Sequence, residues 1–503
     1  MDTLSILSQL DTLGRATEYL KDPLNGTFYL QNFIENKFLD CEHTSEWIDS
    51  FAPRSGKLLL KVPLSPPNVV DYAVSVASRA LAVWSRSTPH ERSDALFRIS
   101  SILQEWKELF VVWESLDQGK PLLRARAEVD YSIQHFRYFA EYLLNEEKAV
   151  RFNKGLEEST LTYRHRVPVG VFAIITSSHM PLHVLTSKIA ACIAFGCTGV
   201  AKPSESTSMT AFLLSEVLRQ AELPPGVMNI IFGDGPGTGA TLAKSPYVQG
   251  VSFTGGKQTA IQIRKDTTAD IDKRLSFDLR GISPTLVFAD VNIDEAASVA
   301  AFAAFENSGQ LGLAGSRIYV HRSIYKMFLI KFTKYVLNHC RLEKELGPVV
   351  SQEQYDNIRS YLIQASEEHA VLEVGKIPKL APEAGFWVDP TVLTGVSNDG
   401  FVGQEEVFGP VATVYSFDKE DEVVRLCNQT PNVMGALVLT DDLSRQRRVG
   451  ETLDAGLVWA GCWLGRELGA GFTDIRATGL GREGGAHNQD IFTRLRAVHI
   501  RSY

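Results

Sequence analysis

The sequence predicts an α/β protein built around a doubly wound parallel sheet. Between about residues 168 and 290, short apolar runs alternate with patterns of helical periodicity. Apolar runs without polar alternation are typical of parallel strands buried on both faces, and their alternation with helices is typical of βαβ units. The predicted strands cover residues 169–175, 198–201, 227–232 and 248–253, and the predicted crossover helices cover residues 209–220 and 237–242.

Two flanking regions extend this pattern. From about residue 65 to 145, apolar residues recur at i, i+3 and i+4, which predicts helices with one buried face. After about residue 284 a second succession of apolar runs begins, which predicts a second α/β unit. Its predicted strands cover residues 284–288, 318–320, 411–417 and 436–439.

Composition limits the classes of partner. The 503 residues are 44% hydrophobic and 22% charged, which is ordinary for a globular protein, and the formal net charge is −8. An acidic chain is not expected to bind nucleic acid or an anionic membrane by charge, and no apolar run approaches the ~20 residues that span a bilayer. The six cysteines are scattered without metal-ligand spacing, so we expect reduced thiols, no metal site and a cytoplasmic protein.

The first residues have a helical pattern of their own. Leu4, Leu7 and Leu10 recur at a helix-like spacing, which predicts a short docking helix or a frayed arm. Asp2 and Asp11 argue against a mitochondrial presequence, because such segments are poor in acidic residues.

Six ordered segments resemble motifs of the NAD(P)-dependent aldehyde dehydrogenases, and together they span nearly the whole chain. The resemblance implies the aldehyde dehydrogenase fold. Residues 115–120 and 456–463 look most like the branch that oxidises 2-aminomuconic semialdehyde. The six segments are residues 167–175, 201–205 (A-K-P-S-E), 224–233, 252–256 (S-F-T-G-G), 405–411 (E-E-V-F-G-P-V) and 479–484 (G-L-G-R-E-G).

The resemblance also implies a division of the chain and an oligomeric state. It predicts an N-terminal extension, a Rossmann-like NAD-binding domain, an α/β catalytic domain and a β-hairpin oligomerisation element. We expect the hairpin to pair subunits, either in a homo-oligomer or in a hetero-oligomer with an active paralogue. These parts cover residues 1–29 (extension), 30–141 and 163–279 (NAD-binding), 280–488 (catalytic), and 142–162 and 489–503 (oligomerisation).

The segment that resembles the family's nucleophile motif carries a glycine in the decisive place. Residues 305–317 resemble F-x-N-x-G-Q-x-C, with Gly312 where the reactive cysteine is expected. In the family the thiolate attacks the aldehyde and a hydride then leaves for the nicotinamide. Glycine cannot form this adduct, and neither Ser308 nor Ser316 has an evident neighbouring base. Cys462 does not stand at a nucleophile position.

Two other catalytic positions are also altered. Asp278 stands at the general-base position with an arm one methylene shorter than glutamate, and such a displacement costs roughly 100-fold. His179 stands where an asparagine amide would stabilise the oxyanion, or else is a structural histidine. Arg280 replaces a glycine next to the nicotinamide. Its side chain either fills the nicotinamide site or forms an ion pair with Asp278.

The cofactor positions implied by the resemblance are better kept. Lys202 and Glu205 match residues that contact the adenosine ribose, and a carboxylate there favours NAD over NADP. Whether the nicotinamide seats beside Arg280 stays open, as does whether residues 233–240 contact phosphate or form only a tight turn. The predicted cofactor-binding residues are Ile175, Lys202, Ser204, Glu205, Gly235, Thr254, Gly255, Gly256, Leu279, Glu406 and Phe408.

Three functions are compatible with these positions. The first is a pseudoenzyme with a binding or assembly role. The second is an active NAD-dependent oxidoreductase that acts on a small aldehyde or semialdehyde without a covalent intermediate. The third is a metabolite sensor that binds NAD. Arg466 would bind a substrate carboxylate in the semialdehyde branch, or form a salt bridge at the rim.

Overall fold

The structure is a computed structural model that describes most of the chain. The predicted N-terminal helix and Arg466 lie outside the described residues, as does part of the predicted hairpin. The described residues are 28–39, 46–145, 150–154, 159–430, 432–465, 467–473 and 475–501.

Helices surround the sheets, and the predicted helical region before residue 145 is present. The α-helices are α1 (Pro67–Trp84), α2 (Pro89–Glu105), α3 (Lys107–Gln118), α4 (Leu122–Asn145), α5 (Pro181–Ala194), α6 (Met209–Gln220), α7 (Ala240–Lys244), α8 (Lys257–Asp266), α9 (Ile293–Phe305), α10 (Tyr325–His339), α11 (Gln352–Glu367), α12 (Phe401–Gln404), α13 (Glu420–Gln429), α14 (Leu443–Thr452) and α15 (His487–Phe492).

The strands form five sheets. They are β1 (Phe28–Tyr29), β2 (Phe33–Ile34), β3 (Lys37–Phe38), β4 (Trp47–Ala52), β5 (Lys57–Pro63), β6 (Val150–Lys154), β7 (Ser159–Pro168), β8 (Val171–Ile175), β9 (Thr198–Lys202), β10 (Met228–Ile230), β11 (Gly250–Gly255), β12 (Arg274–Leu279), β13 (Pro284–Val287), β14 (Arg317–His321), β15 (Val371–Val374), β16 (Thr391–Thr394), β17 (Val411–Phe417), β18 (Gly435–Leu439), β19 (Leu457–Ala460), β20 (Phe472–Thr473), β21 (Gly479–Leu480), β22 (Arg482–Glu483) and β23 (Thr493–Arg501).

The first large sheet has the order β21-β12-β11-β8-β9-β10-β2-β3. Its strands β12, β11, β8, β9 and β10 are parallel, as the βαβ pattern predicts. Every residue of β8 and β9 is buried, because helices cover both faces of the sheet. This sheet brings the ends of β8, β11 and β12 to one edge, where the apolar strands give way to polar residues.

The second large sheet has the order β15-β16-β17-β14-β13-β18-β19, and its pairs are parallel apart from β15 with β16. Alanines of α9 pack on it, and these small side chains let the helix lie close to the strands. Strand β17 occupies the predicted residues 411–417, because a strand buried on both faces leaves a continuous apolar run in the sequence.

A smaller sheet joins β6, β7 and β23 at one end of the molecule. Strand β23 pairs antiparallel with β7 over its whole length, and β6 forms a hairpin with β7. The prediction that strand-like structure begins at about residue 142 is wrong, because α4 continues to Asn145. The helical spacing of Phe136, Phe139, Ala140 and Leu143, which are all buried, explains the longer helix.

Within the described ranges, no helix is long and apolar enough to cross a membrane. Nor do the side chains of that part of the chain form a cluster of three or more potential metal ligands.

Candidate functional site

A cavity of about 240 Å³ lies between the two large sheets. Its wall includes Thr254 and Asp278 from the carboxyl ends of β11 and β12, and Ser177 from the loop after β8. The opposite wall includes Met434 and Leu457, at the amino ends of β18 and β19. Ligands of doubly wound sheets bind outside the carboxyl ends of the strands, so this cavity is the candidate site.

The cavity brings together the three predicted catalytic positions, His179, Asp278 and Gly312. It also includes four of the predicted cofactor residues, namely Thr254, Gly255, Leu279 and Phe408. It does not include the other seven, which are Ile175, Lys202, Ser204, Glu205, Gly235, Gly256 and Glu406.

The register of β11 and β12 fixes the position of Asp278. Thr254 and Asp278 are paired residues on adjacent parallel strands. The Oγ1 atom of Thr254 donates a hydrogen bond to the Oδ2 atom of Asp278 at 3.1 Å. Asp278 is therefore held by the strand beside it and faces the cavity from a rigid part of the sheet.

Gly312 lacks a side chain in a place where a small one nearly fits. Its φ is outside the left-handed region, so the backbone itself does not require glycine. A Cβ atom added to Gly312 would lie 3.1 Å from the Sδ atom of Met434 and 3.4 Å from the Cα atom of Arg280. A larger side chain at residue 312 would therefore require Met434 to move by a few tenths of an ångström.

Gly309, three residues earlier, is fixed by a close backbone crossing. Its φ is +67°, and a Cβ atom there would lie 2.0 Å from the carbonyl oxygen of Gly409. Only glycine permits that approach, which sets the segment around Gly312 against the segment that contains Phe408. The Nδ2 atom of Asn307 donates to the carbonyl oxygen of His179 at 2.8 Å, so the same segment is also tied to the loop after β8.

The alternative nucleophiles lie elsewhere. The hydroxyl of Ser308 is buried and donates to the carbonyl oxygen of Gly347 at 2.8 Å. Ser316 does not line the cavity, and Cys462 is exposed outside it. None of the described residues that line the cavity is a cysteine.

His179 is held in a neutral form. Its Nδ1 atom lies 2.8 Å from the Oγ atom of Ser177, and its ring meets the ring of Phe408 edge-on with 5.7 Å between centroids. Desolvation, and after it the positive charges of Arg280 and Lys120, lowers the pKa of His179 to about 3. The imidazole is therefore uncharged at neutral pH.

Arg280 packs on an aromatic ring. Its Cζ atom lies 3.8 Å from the centroid of the Phe408 ring, a cation–π contact. Among the residues that the structure describes, no hydrogen bond or ion pair to the Arg280 side chain is present, so the predicted alternative of an ion pair with Asp278 is wrong. The physical reason is that Thr254 binds the carboxylate while Phe408 draws the guanidinium to its ring face.

Glu406 lies beside this pair without a full set of partners. Its Oε1 atom is buried and has no hydrogen-bond partner among the described residues. Desolvation raises the pKa of Glu406 to about 8, against the opposing influence of the Arg280 charge. Glu406 is therefore largely protonated at neutral pH.

The Lys202 region lies outside the cavity and is partly open. The Nζ atom of Lys202 lies 2.9 Å from the Oε2 atom of Glu205. A Cβ atom added to Gly235 or Gly256 would have no neighbour within 4 Å in the part of the chain that the structure describes. The glycine-rich segment contains a π-helical stretch, Gly235–Gly239, in which the backbone amides of Gly237 and Thr238 donate to the Asp234 carboxylate. This capping favours the tight turn over phosphate contact for that segment.

An aromatic wall, formed by Tyr131, His135, Tyr138 and His183, closes one side of the cavity. The first three are spaced by four and three residues on α4, so they share one face of that helix. The rings of His135 and His183 lie 4.6 Å apart, and those of Tyr131 and His183 lie 5.9 Å apart.

A buried ion cluster links the two helices that carry the aromatic wall. Lys120 is 2% exposed and lies between the carboxylates of Glu114, at 3.1 Å, and Glu128. The Oε1 atom of Glu128 accepts a hydrogen bond from the backbone amide of His183 at 3.2 Å. The cluster thus anchors the first turn of α5 to α4.

Comparison with known proteins identifies the family, since residues 38–498 match the aldehyde dehydrogenase family. The chain belongs to this family. It is 37% identical over 488 residues to human 2-aminomuconic semialdehyde dehydrogenase, with 95% of this chain and 99% of the relative covered. It is 34% identical over 484 residues to 2-aminomuconic 6-semialdehyde dehydrogenase of Pseudomonas sp, with 94% and 98% covered. The family resemblance is confirmed.

Solved structures of aldehyde dehydrogenases confirm the predicted fold. A mutant of the P. syringae indole-3-acetaldehyde dehydrogenase, in complex with NAD+ and IAA, has a TM-score of 0.92 at 29% identity and covers 98% of this chain and 100% of its own. The NAD+ complex of the Bacillus cereus aldehyde dehydrogenase has a TM-score of 0.90 at 28% identity, with 97% and 99% covered.

The aldehyde dehydrogenase motifs pointed to the strand ends but not to the whole site. Sequence reasoning missed the aromatic wall, Ser177 and Met434. The spacing of Tyr131, His135 and Tyr138 was a signal that could have located the wall. No local pattern marks Met434, because it meets Gly312 only through the tertiary fold.

Proposed function

We propose that this aldehyde dehydrogenase family member binds small molecules in its cleft and does not oxidise aldehydes by the covalent route of its family. The observation that carries the proposal is Gly312, which lines the cavity where the family motif has its cysteine, in a wall whose described residues include no thiol. Loss of the nucleophile in a covalent enzyme costs on the order of 10⁶ in turnover.

The altered base and oxyanion positions support the same proposal. Asp278 accepts a hydrogen bond from Thr254, and its shorter side chain holds its carboxylate back towards β12. His179 offers an imidazole of different reach in place of an amide, with Nδ1 already engaged by Ser177. A cysteine restored at residue 312 would therefore have neither the glutamate base nor the asparagine amide that the family motifs carry at these two positions.

NAD fits one half of the site better than the other. Lys202 and Glu205 would hold the adenosine ribose, and the open space at Gly256 leaves room for the pyrophosphate. Arg280 covers the face of Phe408 on which the nicotinamide riboside would lie, so the residues do not fit that half. Seated in the family manner, NAD supplies a hydride acceptor. Here we propose binding through the adenosine half, without hydride transfer.

The assembly element and the domain division belong to the same proposal. The sheet β6-β7-β23 has the form of the family's oligomerisation element, and we propose that it pairs this chain with a second copy or with an active paralogue. The domain division remains a prediction, except that the hairpin begins after α4, which ends at Asn145. The five described cysteines are free, which is consistent with a cytoplasmic protein.

A second candidate is oxidation of an aldehyde hydrate with Asp278 as the base. The observation that favours it is that a carboxylate still lines the cavity at the base position. This route also needs a seated nicotinamide, which Arg280 opposes.

The test is NADH formation by the purified protein with NAD and a panel of semialdehydes, at high protein concentration. We expect no turnover, while NAD and ADP-ribose raise the melting temperature similarly, because both carry the adenosine half. NADH formation that disappears in Asp278→Ala would overturn the proposal and support the hydrate route. The Glu353→Ala variant, changed on an exposed helix face, is the matched control.

A further inference from the structure

Arg280 presents unused donors to the cavity. A guanidinium has five N–H donors and remains charged at all physiological pH values. Arg280 is partly buried in the cavity wall, and the part of the chain that the structure describes offers its side chain only the face of Phe408. A ring face satisfies the charge in part but accepts none of the in-plane donors. These donors are available to a ligand.

In the described ranges, the neighbouring acids form no ion pair with Arg280. Asp278 makes no ion pair with Arg280 in the described ranges, and its carboxylate accepts from Thr254. The carboxyl group of Glu406 is largely protonated at neutral pH, because desolvation raises its pKa to about 8. The charge of Arg280 is thus left to act on the contents of the cavity.

Two further acids in the wall have cationic partners of their own. Glu306 pairs with Arg124 at 3.0 Å, and Glu483 pairs with Lys188 at 2.6 Å. Both pairs are internally neutral, so neither competes strongly with a ligand for Arg280. Glu467 is the remaining acid of the wall and is exposed to solvent.

His179 provides a second donor near Arg280. In the tautomer in which the hydroxyl of Ser177 donates to Nδ1, the neutral ring carries its proton on Nε2. Among the described residues, the hydrogen bond to the ring of His179 is at Nδ1, which leaves Nε2 for a ligand. A guanidinium fork beside an imidazole N–H is a donor set that suits the two oxygens of a carboxylate.

The rest of the cavity suits a small flat body. The cavity has a volume of about 240 Å³, which is the scale of a site for a small ligand. Tyr131, Tyr138 and His183 present ring surfaces to the cavity. Offset and edge-on contacts with such rings favour an aromatic ligand over an aliphatic one of equal size.

We propose that the cavity is a binding site for small aromatic carboxylates, with the carboxylate on Arg280 and His179 and the ring against the aromatic wall. This proposal deepens the proposed function, because it names the ligand class of the same cavity, and it does not depend on NAD binding.

The test measures binding of benzoate and phenylacetate to the full-length protein by calorimetry, with benzamide as the neutral isostere. We expect saturable binding of both acids and at least tenfold weaker binding of benzamide. In Arg280→Gln we expect the acids to lose at least tenfold in affinity, whereas benzamide binding is unchanged. Arg322→Gln, which removes an exposed arginine, is the matched control.

Two outcomes would overturn the proposal. One is equal binding of benzoate and benzamide to the unmodified protein, a comparison that needs no variant to fold. The other is a benzoate affinity that is unchanged in an Arg280→Gln variant whose melting temperature equals that of the unmodified protein. If the proposed function fails, NADH forms with an aldehyde substrate. That result does not change the comparison of benzoate with benzamide, so the two failures can be told apart. Benzoate and ADP-ribose should bind together, so their stabilising effects should add.

Discussion

The guanidinium of Arg280 lies flat against the cleft, with its Cζ atom 3.8 Å from the ring centroid of Phe408. Both residues stand in segments that resemble cofactor-binding motifs of the aldehyde dehydrogenases, and their contact fills the ring face that a nicotinamide riboside would need. We propose that an arginine at residue 280, where the family motif has glycine, changes what the cleft accepts.

Removing the Arg280 side chain should open the nicotinamide half of the site. We expect Arg280→Gly to bind NAD about tenfold more tightly than the unmodified protein, measured by calorimetry, while affinity for ADP-ribose is unchanged. The lost cation–π contact should cost about 1 kcal/mol of stability. Arg280→Lys keeps the charge and is the control, and an equal gain for ADP-ribose would contradict this explanation.

Restoring the cysteine alone should not restore activity. In Gly312→Cys the new Cβ atom lies 3.1 Å from the Sδ atom of Met434 and the nicotinamide remains displaced, so we expect no aldehyde-dependent NADH signal. Adding Asp278→Glu and Arg280→Gly to Gly312→Cys should produce one. Gly312→Ala fills the same space without a thiol and is the control. Turnover by the single cysteine variant would show that the rest of the site is intact.

The neutral state of His179 should make the protein sensitive to acid. The unfolded chain binds a proton on this histidine below pH 6.5, whereas the folded protein does so only near pH 3. The free energy of unfolding therefore falls as the pH drops through this window, by at most about 1.4 kcal/mol per pH unit. His179→Asn should remove this slope in melting temperatures taken at pH 7, 6 and 5.

Exposed His90 supplies the control for that series, because its substitution by asparagine changes a histidine that solvent already reaches. The explanation fails if His90→Asn reduces the fall in melting temperature between pH 7 and pH 5 as much as His179→Asn does.

The raised pKa of Glu406 has the opposite pH dependence. The unfolded chain loses this proton near pH 4.5 and the folded protein near pH 8, so the free energy of unfolding falls as the pH rises between them. Glu406→Gln keeps the shape and removes the proton loss. We expect its free energy of unfolding to match that of the unmodified protein at pH 4.5 and to exceed it at pH 8.5, by on the order of 4 kcal/mol. Glu353→Gln, on an exposed helix face, should show no such difference.

The sequence predicted the strands better than the contacts between segments. Residues 411–417 and 209–220 form the predicted strand and helix, because burial leaves a periodic record in the sequence. The predicted start of the hairpin is too early, because the apolar residues of α4 keep their helical spacing and the helix continues to Asn145. The prediction of a helix over residues 237–242 was approximate, since a capped π-helical stretch precedes α7.

The candidate site was predicted position by position but not in its arrangement. Motif matching brought His179, Asp278 and Gly312 together correctly in one cavity. It could not decide whether the Arg280 side chain fills the nicotinamide site or pairs with Asp278, because the choice depends on Phe408, which is far along the chain. Motif matching could not predict the position of Met434 either, because its side chain approaches Gly312 only where the two large sheets face each other.

The edge of the eight-stranded sheet has a practical consequence for handling this protein. Strand β12 is closed by β21, where Asp278 pairs with Gly479, and the following residues continue into β23. A truncation that removes β21 would therefore expose the edge of β12 beside the ligand cavity. Weaker ligand binding by such a truncated protein would report a disturbed edge of the sheet.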